Sequence, residues 1–210
     1  MASLRLWGAG TARTLRAIWT AEELGLDYEL VAIGPRTGAT READFLGRNP
    51  KGKIPYLEDG DFGLSESLAI ARYLIERHGR DGPLHRPADL HEQARSDEWC
   101  CFVLGELDET ALYIVRRHED LQHIYGPAPA VVAAAKDYCA LQLEAAATRF
   151  AGPHVMGTPF GLADILLMSC LVWADRVGVP LPAAMRGFHD RVAERPAYRR
   201  AVEINQQPVR

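Results

Sequence analysis

The stretch NPKGKIPYLEDGDFGLSES, residues 49–67, decides the fold predicted for this chain of 210 residues. Its proline stands where an apolar run begins, although proline has no backbone N–H for a sheet and is confined to edge strands, first strand positions and bulges. Two short apolar runs, IPYLE and FGL, flank residues 59–61 and predict a β-hairpin. Glu66 and Ser67 follow at the start of a predicted helix, so the stretch joins a hairpin to a helix.

The chain before this stretch alternates between strand and helix patterns. Residues 4–7 alternate weakly and end in a glycine loop, residues 8–10, which predicts a short strand. The following TARTLRAIWTAEELG has apolar residues at helical spacing and predicts a helix that begins at Thr11 or Ala12 and ends near Gly25. The other predicted elements of this half are a strand over residues 28–33, a short helix around residues 41–46, and a helix from residue 67 to residue 79.

The second half of the chain is predicted to be helical. Residues 80–90 are rich in glycine, proline and charge, which favours a linker. The helical spacing of apolar residues after it predicts helices over residues 91–117, 129–150, 162–177 and 183–194. We therefore predict an α/β unit (residues 1–79), a linker (80–90) and an all-helical unit (91–210).

Composition excludes several classes of partner. The formal net charge is −4 and the arginines are spread along the chain, whereas binding to nucleic acid or an anionic membrane needs a concentrated basic face. The longest apolar run, residues 165–174, is too short to cross a bilayer, and the first residues lack the apolar core of a signal peptide. We expect a cytoplasmic protein with no nucleic-acid or membrane partner.

The cysteines and histidines predict neither a disulfide nor a metal site. None of the four cysteines forms a Cys-x-x-Cys pair, and the adjacent Cys100 and Cys101 fit disulfide geometry poorly. His118 and His123 are the nearest histidine pair, but their spacing puts them off a common helical face. We expect reduced thiols packed in helices and no bound metal.

Three stretches resemble, in order and spacing, the cytosolic glutathione S-transferases: LRLWGAGTARTLRAIWTAEELGLDYELV, NPKGKIPYLEDGDFGLSESLAIARYLIERHG and GTPFGLADILLMSCL. The resemblance covers nearly the whole chain. It implies a thioredoxin-like domain with a mixed four-stranded sheet, followed by an all-α helical bundle. It also implies glutathione as co-substrate, a small hydrophobic electrophile as second substrate, and a homodimer.

The resemblance assigns a glutathione-binding role to part of the stretch quoted first. It implies a cis Ile54–Pro55 bond, which would leave the Ile54 backbone free to pair with glutathione as an added strand. Glu66 would suit the ammonium of glutathione, while Ser67 and the helix start would suit its γ-glutamyl carboxylate. Lys53 resembles the position that holds the glycyl end. The alternative interpretation is that the serine only caps a helix and that Lys53 is only solvated.

Catalysis would require stabilisation of the glutathione thiolate. A thiol with a pKa near 8.5 is only about three per cent ionised at pH 7. The resemblance places Thr11 where serine-type members carry their hydroxyl, with Thr14 as the other candidate. Arg13, a possible electrostatic helper, stands where cysteine-type members carry cysteine, and Trp7 lies near where tyrosine-type members place a phenol. An ordinary helix N-cap is the other interpretation of Thr11.

The electrophile site is the part that the sequence defines least. Its candidate lining residues are Trp7, Trp99, Phe102, Val103 and Glu106. An apolar helix face is also typical of core or of a dimer contact. We expect a transferase that conjugates glutathione to small hydrophobic electrophiles. The alternatives are a non-catalytic glutathione-binding protein and a glutathione-dependent isomerase, peroxidase or disulfide reductase.

One further motif concerns folding. The family usually has Ser or Thr three residues before the position of Asp164, and the pair forms a capping box. Here Gly161 takes the first place, so we expect only the half in which Asp164 reaches back to the Gly161 backbone.

Overall fold

The computed structural model describes residues 4–80 and 82–210. The chain forms two compact units, one extending to Arg86 and including Ala193–Arg210, the other covering Pro87–Val192. The predicted boundaries placed residues 91–210 together, whereas the structure groups the last segment with the first unit. Residues 1–3 of the predicted first unit and Asp81 of the predicted linker lie outside the described residues.

The first unit is built on a mixed sheet of four strands in the order β2-β1-β3-β4. β1 and β2 are parallel, while β3 is antiparallel to both β1 and β4, so the predicted mixed four-stranded sheet is confirmed. In chain order the elements are β1 (Leu4–Trp7), α1 (Ala12–Glu23), β2 (Tyr28–Val31), a 3₁₀ turn (Ala39–Arg41), α2 (Ala43–Arg48), β3 (Tyr56–Asp59), β4 (Phe62–Ser65) and α3 (Ser67–His78).

The predicted hairpin forms between β3 and β4. Strand β3 begins at Tyr56, which pairs with Trp7 of β1. Pro55 therefore comes directly before the ladder, where its missing N–H removes no sheet hydrogen bond. Gly60, with φ +61°, makes the turn between the two strands.

The last helix, α10 (Pro196–Asn205), packs on α1 and completes the first unit. The ring of Trp19, which is fully buried, meets Tyr198 edge to face at 4.8 Å. Arg195 donates two hydrogen bonds of 2.7 Å to the Glu23 carboxylate. After α10 the chain continues beside the segment that follows β2, where the Arg210 N–H donates to the Ala32 carbonyl at 3.1 Å.

The second unit is helical, as predicted. The predicted helix over residues 91–117 is confirmed, but its central part, Val103–Leu112, is π-helical. The elements of this unit are α4 (Leu90–Phe102), the π-helical segment (Val103–Leu112), α5 (Tyr113–His118), α6 (Gln122–Tyr125), α7 (Pro129–Arg149), α8 (Leu162–Arg176) and α9 (Ala183–Ala193), which ends at the boundary between the units.

Helix α8 is the core helix of the second unit, and it begins with the half capping box that was expected. The Asp164 carboxylate is fully buried and accepts a hydrogen bond from the Gly161 N–H at 2.8 Å. It also accepts one from the Val155 N–H at 2.7 Å, a contact that the sequence did not predict. None of the helices in the described part of the chain is both long enough and apolar enough to cross a bilayer.

The four cysteines are free thiols, as expected. Cys100, Cys139 and Cys170 are buried, whereas Cys101 is exposed on α4. Burial raises the pKa of the Cys139 thiol to about 12, so that thiol stays protonated at neutral pH.

Candidate active site

Thr11 and Thr14 cap the N-terminus of α1 reciprocally. Thr11 is the N-cap residue, with extended backbone angles (φ −133°, ψ 159°), and its hydroxyl oxygen accepts from the Thr14 N–H at 3.0 Å. In return the Thr11 N–H donates to the Thr14 hydroxyl oxygen at 3.0 Å. The two hydroxyl oxygens are also 3.0 Å apart. The capping interpretation of Thr11 is therefore correct, but capping uses only a lone pair of the hydroxyl, so its proton can be donated either to the Thr14 hydroxyl oxygen or to a ligand.

The surroundings of the two hydroxyls differ. Thr14 is fully buried, and its hydroxyl lies 2.7 Å from Asn205 Oδ1 and 2.9 Å from the Thr11 carbonyl oxygen. Thr11 is only partly buried, and so is Arg13 in the same first turn of α1. Of the two threonines, only Thr11 has surface through which its hydroxyl could meet a ligand.

The loop that leads to Thr11 packs on the segment before β3. The Ile54–Pro55 bond is cis, as the resemblance implied. Gly8 has φ +108°, and a Cβ atom built on it would lie 2.6 Å from the Ile54 Cβ atom. Glycine is therefore required here both for its backbone angle and for the close approach of Ile54. This contact brings the cis-proline segment against the loop that ends at the N-terminus of α1.

Substitution of Gly8 with alanine is expected to displace Ile54 and to raise the KM for glutathione by about tenfold, in line with a strain of about 1–3 kcal/mol. Steady-state kinetics with varied glutathione would measure it. Gly25→Ala is the matched control, because Gly25 has φ +63° but nothing within 4 Å of its built Cβ atom. It should lower stability and leave KM unchanged. An unchanged KM in Gly8→Ala would contradict the prediction.

Glu66 and Ser67 lie at the start of α3, as predicted. Glu66 has φ 77° and ψ 120°, a strained conformation for a residue other than glycine, and such strain is concentrated at functional sites. Its exposed carboxylate pairs with Lys51 Nζ at 2.5 Å. Ser67 is the first residue of the helix and is 7% exposed, and Arg16 Nη1, which is fully buried, lies 3.4 Å from its hydroxyl oxygen.

Lys53 is not the lysine that pairs with Glu66, which is Lys51. Lys53 is exposed, and its carbonyl oxygen accepts from Asn49 Nδ2 at 2.8 Å. Asn49 is 3% exposed and holds the turn before the cis-proline segment, because its Oδ1 also accepts from the Lys51 N–H at 3.3 Å. Sequence reasoning missed Asn49, Lys51 and Arg16. The Asn-Pro dipeptide signals a turn, but no sequence pattern pairs Lys51 with Glu66.

Trp7 is packed among apolar residues of the first unit. It is 7% exposed, its ring centroid lies 5.7 Å from that of Phe45, and the Arg48 guanidinium lies 4.8 Å above its ring. Its indole N–H donates to the Glu58 carboxylate at 2.9 Å. Partial burial tends to raise the pKa of Glu58, but hydrogen bonds from Trp7 and Arg48 outweigh it and hold that pKa below its usual value. The indole is thus occupied by core contacts.

The other electrophile-site candidates lie in the second unit. Trp99 and Val103 are buried, while Phe102 and Glu106 are partly exposed. Glu106 lies in the π-helical segment and accepts from the Tyr138 hydroxyl at 2.5 Å. This hydrogen bond raises the pKa of Tyr138 above its usual value. Phe102 and Glu106 are the better candidates of the four because their side chains are partly exposed, and Glu106 also lies in a π-helical segment, a feature that often occurs at functional sites.

The structure therefore combines a thioredoxin-like unit, with cis-proline before its third strand, and a helical unit. Residues 2–76 match the family profile described as glutathione S-transferase, N-terminal domain. Glutathione S-transferase 4 of Zea mays is 41% identical over 100 residues, which cover 48% of this chain and 44% of that protein. Glutathione S-transferase GstB of Escherichia coli strain K12 is 30% identical over 212 residues, covering 96% of this chain and 98% of that protein.

Comparison with solved structures indicates the same family. The theta class glutathione S-transferase from the citrus canker pathogen Xanthomonas axonopodis pv. citri, solved with glutathione bound, has a TM-score of 0.80 and 26% identity, covering 96% of this chain and 98% of that one. The chain belongs to the glutathione S-transferase family. The predicted fold class is confirmed, and the predicted transferase function is confirmed at the level of the family.

Proposed function

We propose that this protein conjugates glutathione to small hydrophobic electrophiles and that the Thr11 hydroxyl stabilises the glutathione thiolate. The observation that carries the proposal is the position of that hydroxyl, partly exposed at the N-terminus of the 12-residue helix α1. The thiol proton would pass to solvent, and the sulfur would use a lone pair to bond to the electrophilic carbon. The leaving group would depart with its electron pair.

The expected stabilisation is large enough for this role. A hydrogen bond to a charged group contributes about 1.5–3 kcal/mol, which is about one to two pKa units. The positive end of the α1 dipole favours an anion by a further 0.3–1 kcal/mol or so. Together they would bring the thiol from a pKa near 8.5 to near or below pH 7, where about half or more of it is ionised. Arg13, in the same turn, would add to the positive potential.

Glutathione would lie along the segment before β3. The Ile54 backbone, just outside the paired strand, would pair with the cysteinyl backbone of glutathione beside Pro55. Ser67 and the N–H groups at the start of α3 would hold the γ-glutamyl carboxylate, and Glu66 would hold the ammonium. Lys53 would contact the glycyl end. The buried Arg16 behind Ser67 supports an anion at this helix start.

We also infer a homodimer and a cytoplasmic location, as expected for this family. Strand β4 is at an edge of the sheet, and an open edge invites pairing or covering. Phe62 on this strand is 46% exposed, and its ring lies 4.9 Å from that of Tyr73. An exposed aromatic side chain at the edge of a sheet favours a protein contact. Phe102 and Glu106 would line part of the electrophile site.

Two measurements on the purified chain test the proposed function: glutathione binding by calorimetry, and conjugation of glutathione to chlorodinitrobenzene. We expect binding in the range from micromolar to millimolar and conjugation above the uncatalysed rate. Binding without turnover of any electrophile would instead identify a non-catalytic glutathione-binding protein. Activity only with hydroperoxides or mixed disulfides would identify a peroxidase or reductase. The absence of binding would contradict the proposal altogether.

A further inference from the structure

The side chain of Asn205, at the end of α10, contacts the loop and the helix start that carry Thr11. Its Oδ1 atom accepts from the Thr14 hydroxyl at 2.7 Å and from the Gly10 N–H at 3.2 Å. Its Nδ2 atom donates to the Thr11 carbonyl oxygen at 3.1 Å. The backbone carbonyl of Asn205 also accepts from the Gly10 N–H, at 2.8 Å. One residue thus holds the backbone on both sides of Thr11.

The orientation of this amide is fixed by its partners. The Gly10 N–H can only donate and the Thr11 carbonyl can only accept, so the oxygen must face Gly10 and the nitrogen must face Thr11. A flipped amide would place two donors against each other at Gly10. Asn205 is only 8% exposed, so water is poorly placed to replace these contacts.

Asn205 also directs the proton of the neighbouring hydroxyl. The Thr14 hydroxyl has one proton, and its shortest contact with an acceptor is the one to Asn205 Oδ1. When the proton points there, the Thr14 oxygen turns its lone pairs toward Thr11 and accepts from the Thr11 N–H. Thr14 then does not donate to the Thr11 hydroxyl, so the 3.0 Å contact between the two hydroxyl oxygens is made by the Thr11 proton, which would turn to the thiolate when glutathione binds.

We propose that Asn205 is a positioning residue, which holds the peptide groups on both sides of Thr11 so that the Thr11 hydroxyl can meet the glutathione thiolate. This inference rests on the proposed function. Gly10 is exposed and has φ +82°, so the backbone before Thr11 is intrinsically free to move unless it is held. Electrostatic stabilisation of an anion depends on donors that are fixed in advance, and small displacements of such a donor are costly.

The test compares Asn205→Ala with the wild type by titrating the ultraviolet absorbance of the thiolate of bound glutathione. Loss of the amide is expected to raise the thiol pKa by roughly half a unit to one unit, and so to lower kcat at neutral pH by roughly two- to fivefold. At a pH below the thiol pKa, where glutathione binds as the thiol, the Kd should change less than about twofold, because Asn205 has no role in the contacts proposed for the peptide. Above the new pKa, kcat should recover, which a general structural defect would not produce.

Asn205→Ala is expected to fold, because two of the three partners keep another acceptor. The Gly10 N–H retains the backbone carbonyl of residue 205, and the Thr14 hydroxyl can turn to the Thr11 carbonyl oxygen at 2.9 Å. We expect a thermal midpoint lower by only about 2–4 °C. Asn205→Asp, which keeps the shape and the acceptor but replaces the donor with a negative charge, should raise the thiol pKa at least as much. The aspartate variant therefore tests the positioning role of Asn205 even if the alanine variant is unstable.

Two comparisons make the outcome decisive. Gln206→Ala, at the exposed neighbouring residue, should leave the thiol pKa and kcat unchanged. In a Thr11→Ala background, Asn205→Ala should add no further shift, since it acts through Thr11. The inference is overturned if the wild type binds glutathione with a lowered thiol pKa and the variants titrate like it, or if the two substitutions are additive. A wild type that fails to bind glutathione would overturn the proposed function first.

Discussion

Thr11→Ala is expected to lower kcat/KM for conjugation by about 10- to 150-fold, the loss that corresponds to one hydrogen bond to an anion. The loss should appear in kcat at neutral pH, because the thiol pKa of bound glutathione would return toward its ordinary value. The acidic limb of the pH profile of kcat, measured at saturating glutathione, would therefore move to higher pH by about one to two units. Initial rates between pH 5.5 and roughly 9.5 would measure this shift.

Two substitutions separate the catalytic role of Thr11 from its capping role. Thr11→Ser retains a hydroxyl on the same carbon and should keep the pH profile and most of the activity. Thr14→Val removes the buried hydroxyl but keeps the shape of the side chain, and it should lower kcat/KM less than Thr11→Ala does. If Thr14→Val abolished activity while Thr11→Ala left it intact, Thr14 would be the residue that contacts the thiolate.

The loss of stability that comes from removing the helix cap must be measured together with the loss of activity. Alanine at an N-cap costs about 0.5–2 kcal/mol of stability, and Thr11 caps the helix that carries the site. Glycine at an N-cap costs only a few tenths of a kcal/mol. Thr11→Gly should thus remain close to wild-type stability and still lose activity. An activity that follows stability across these variants would argue against a catalytic Thr11.

The parts of the fold that were predicted correctly are those in which local chemistry determines the backbone. Proline before an apolar run limits where β3 can begin, and the structure starts that strand at Tyr56, immediately after Pro55. Glycine also marks the end of α3, which ends at His78, just before Gly79, where a Cβ atom would lie 2.6 Å from the Ile75 carbonyl oxygen. Helical spacing located α7 and α8 to within a residue or so of their observed ends. Such signals lie within a few residues of the structure that they determine.

The parts that were missed depend on contacts between distant residues. Helix α10 follows an Arg-Pro pair that suits a helix start, yet its membership of the first unit rests on Trp19 packing against Tyr198. Asn205 contacts Thr11 and Thr14 across almost the entire sequence, and no spacing rule joins them. The π-helical segment leaves the apolar pattern nearly helical, so periodicity could not distinguish it from α-helix. For Trp7, position in the chain suggested a ligand contact, whereas Phe45 and Glu58 surround the ring.

Asp164→Ala is expected to lower the free energy of unfolding by about 2–6 kcal/mol, the largest effect on stability of any change proposed for this chain. The carboxylate accepts from two buried N–H groups, those of Val155 and Gly161. Each would lose its partner, and an unsatisfied buried donor costs about 1–3 kcal/mol. Because Gly161 has no side chain, the other half of a capping box cannot compensate. Urea unfolding, followed by circular dichroism, would measure the change.

Asp175→Ala provides a matched control, because it removes a carboxylate from the same helix in a different environment. Asp175 is exposed and pairs with Arg186 at 2.5 Å, and that hydrogen bond holds the pKa of Asp175 below its usual value. Exposed ion pairs contribute about 0–1 kcal/mol, so the control should unfold near the wild-type midpoint. Asp164→Asn should fall between, since its amide can accept from one N–H but turns a donor toward the other. If Asp164→Ala were no more destabilising than Asp175→Ala, the two buried N–H groups would have found other partners, and the start of α8 would not depend on this carboxylate.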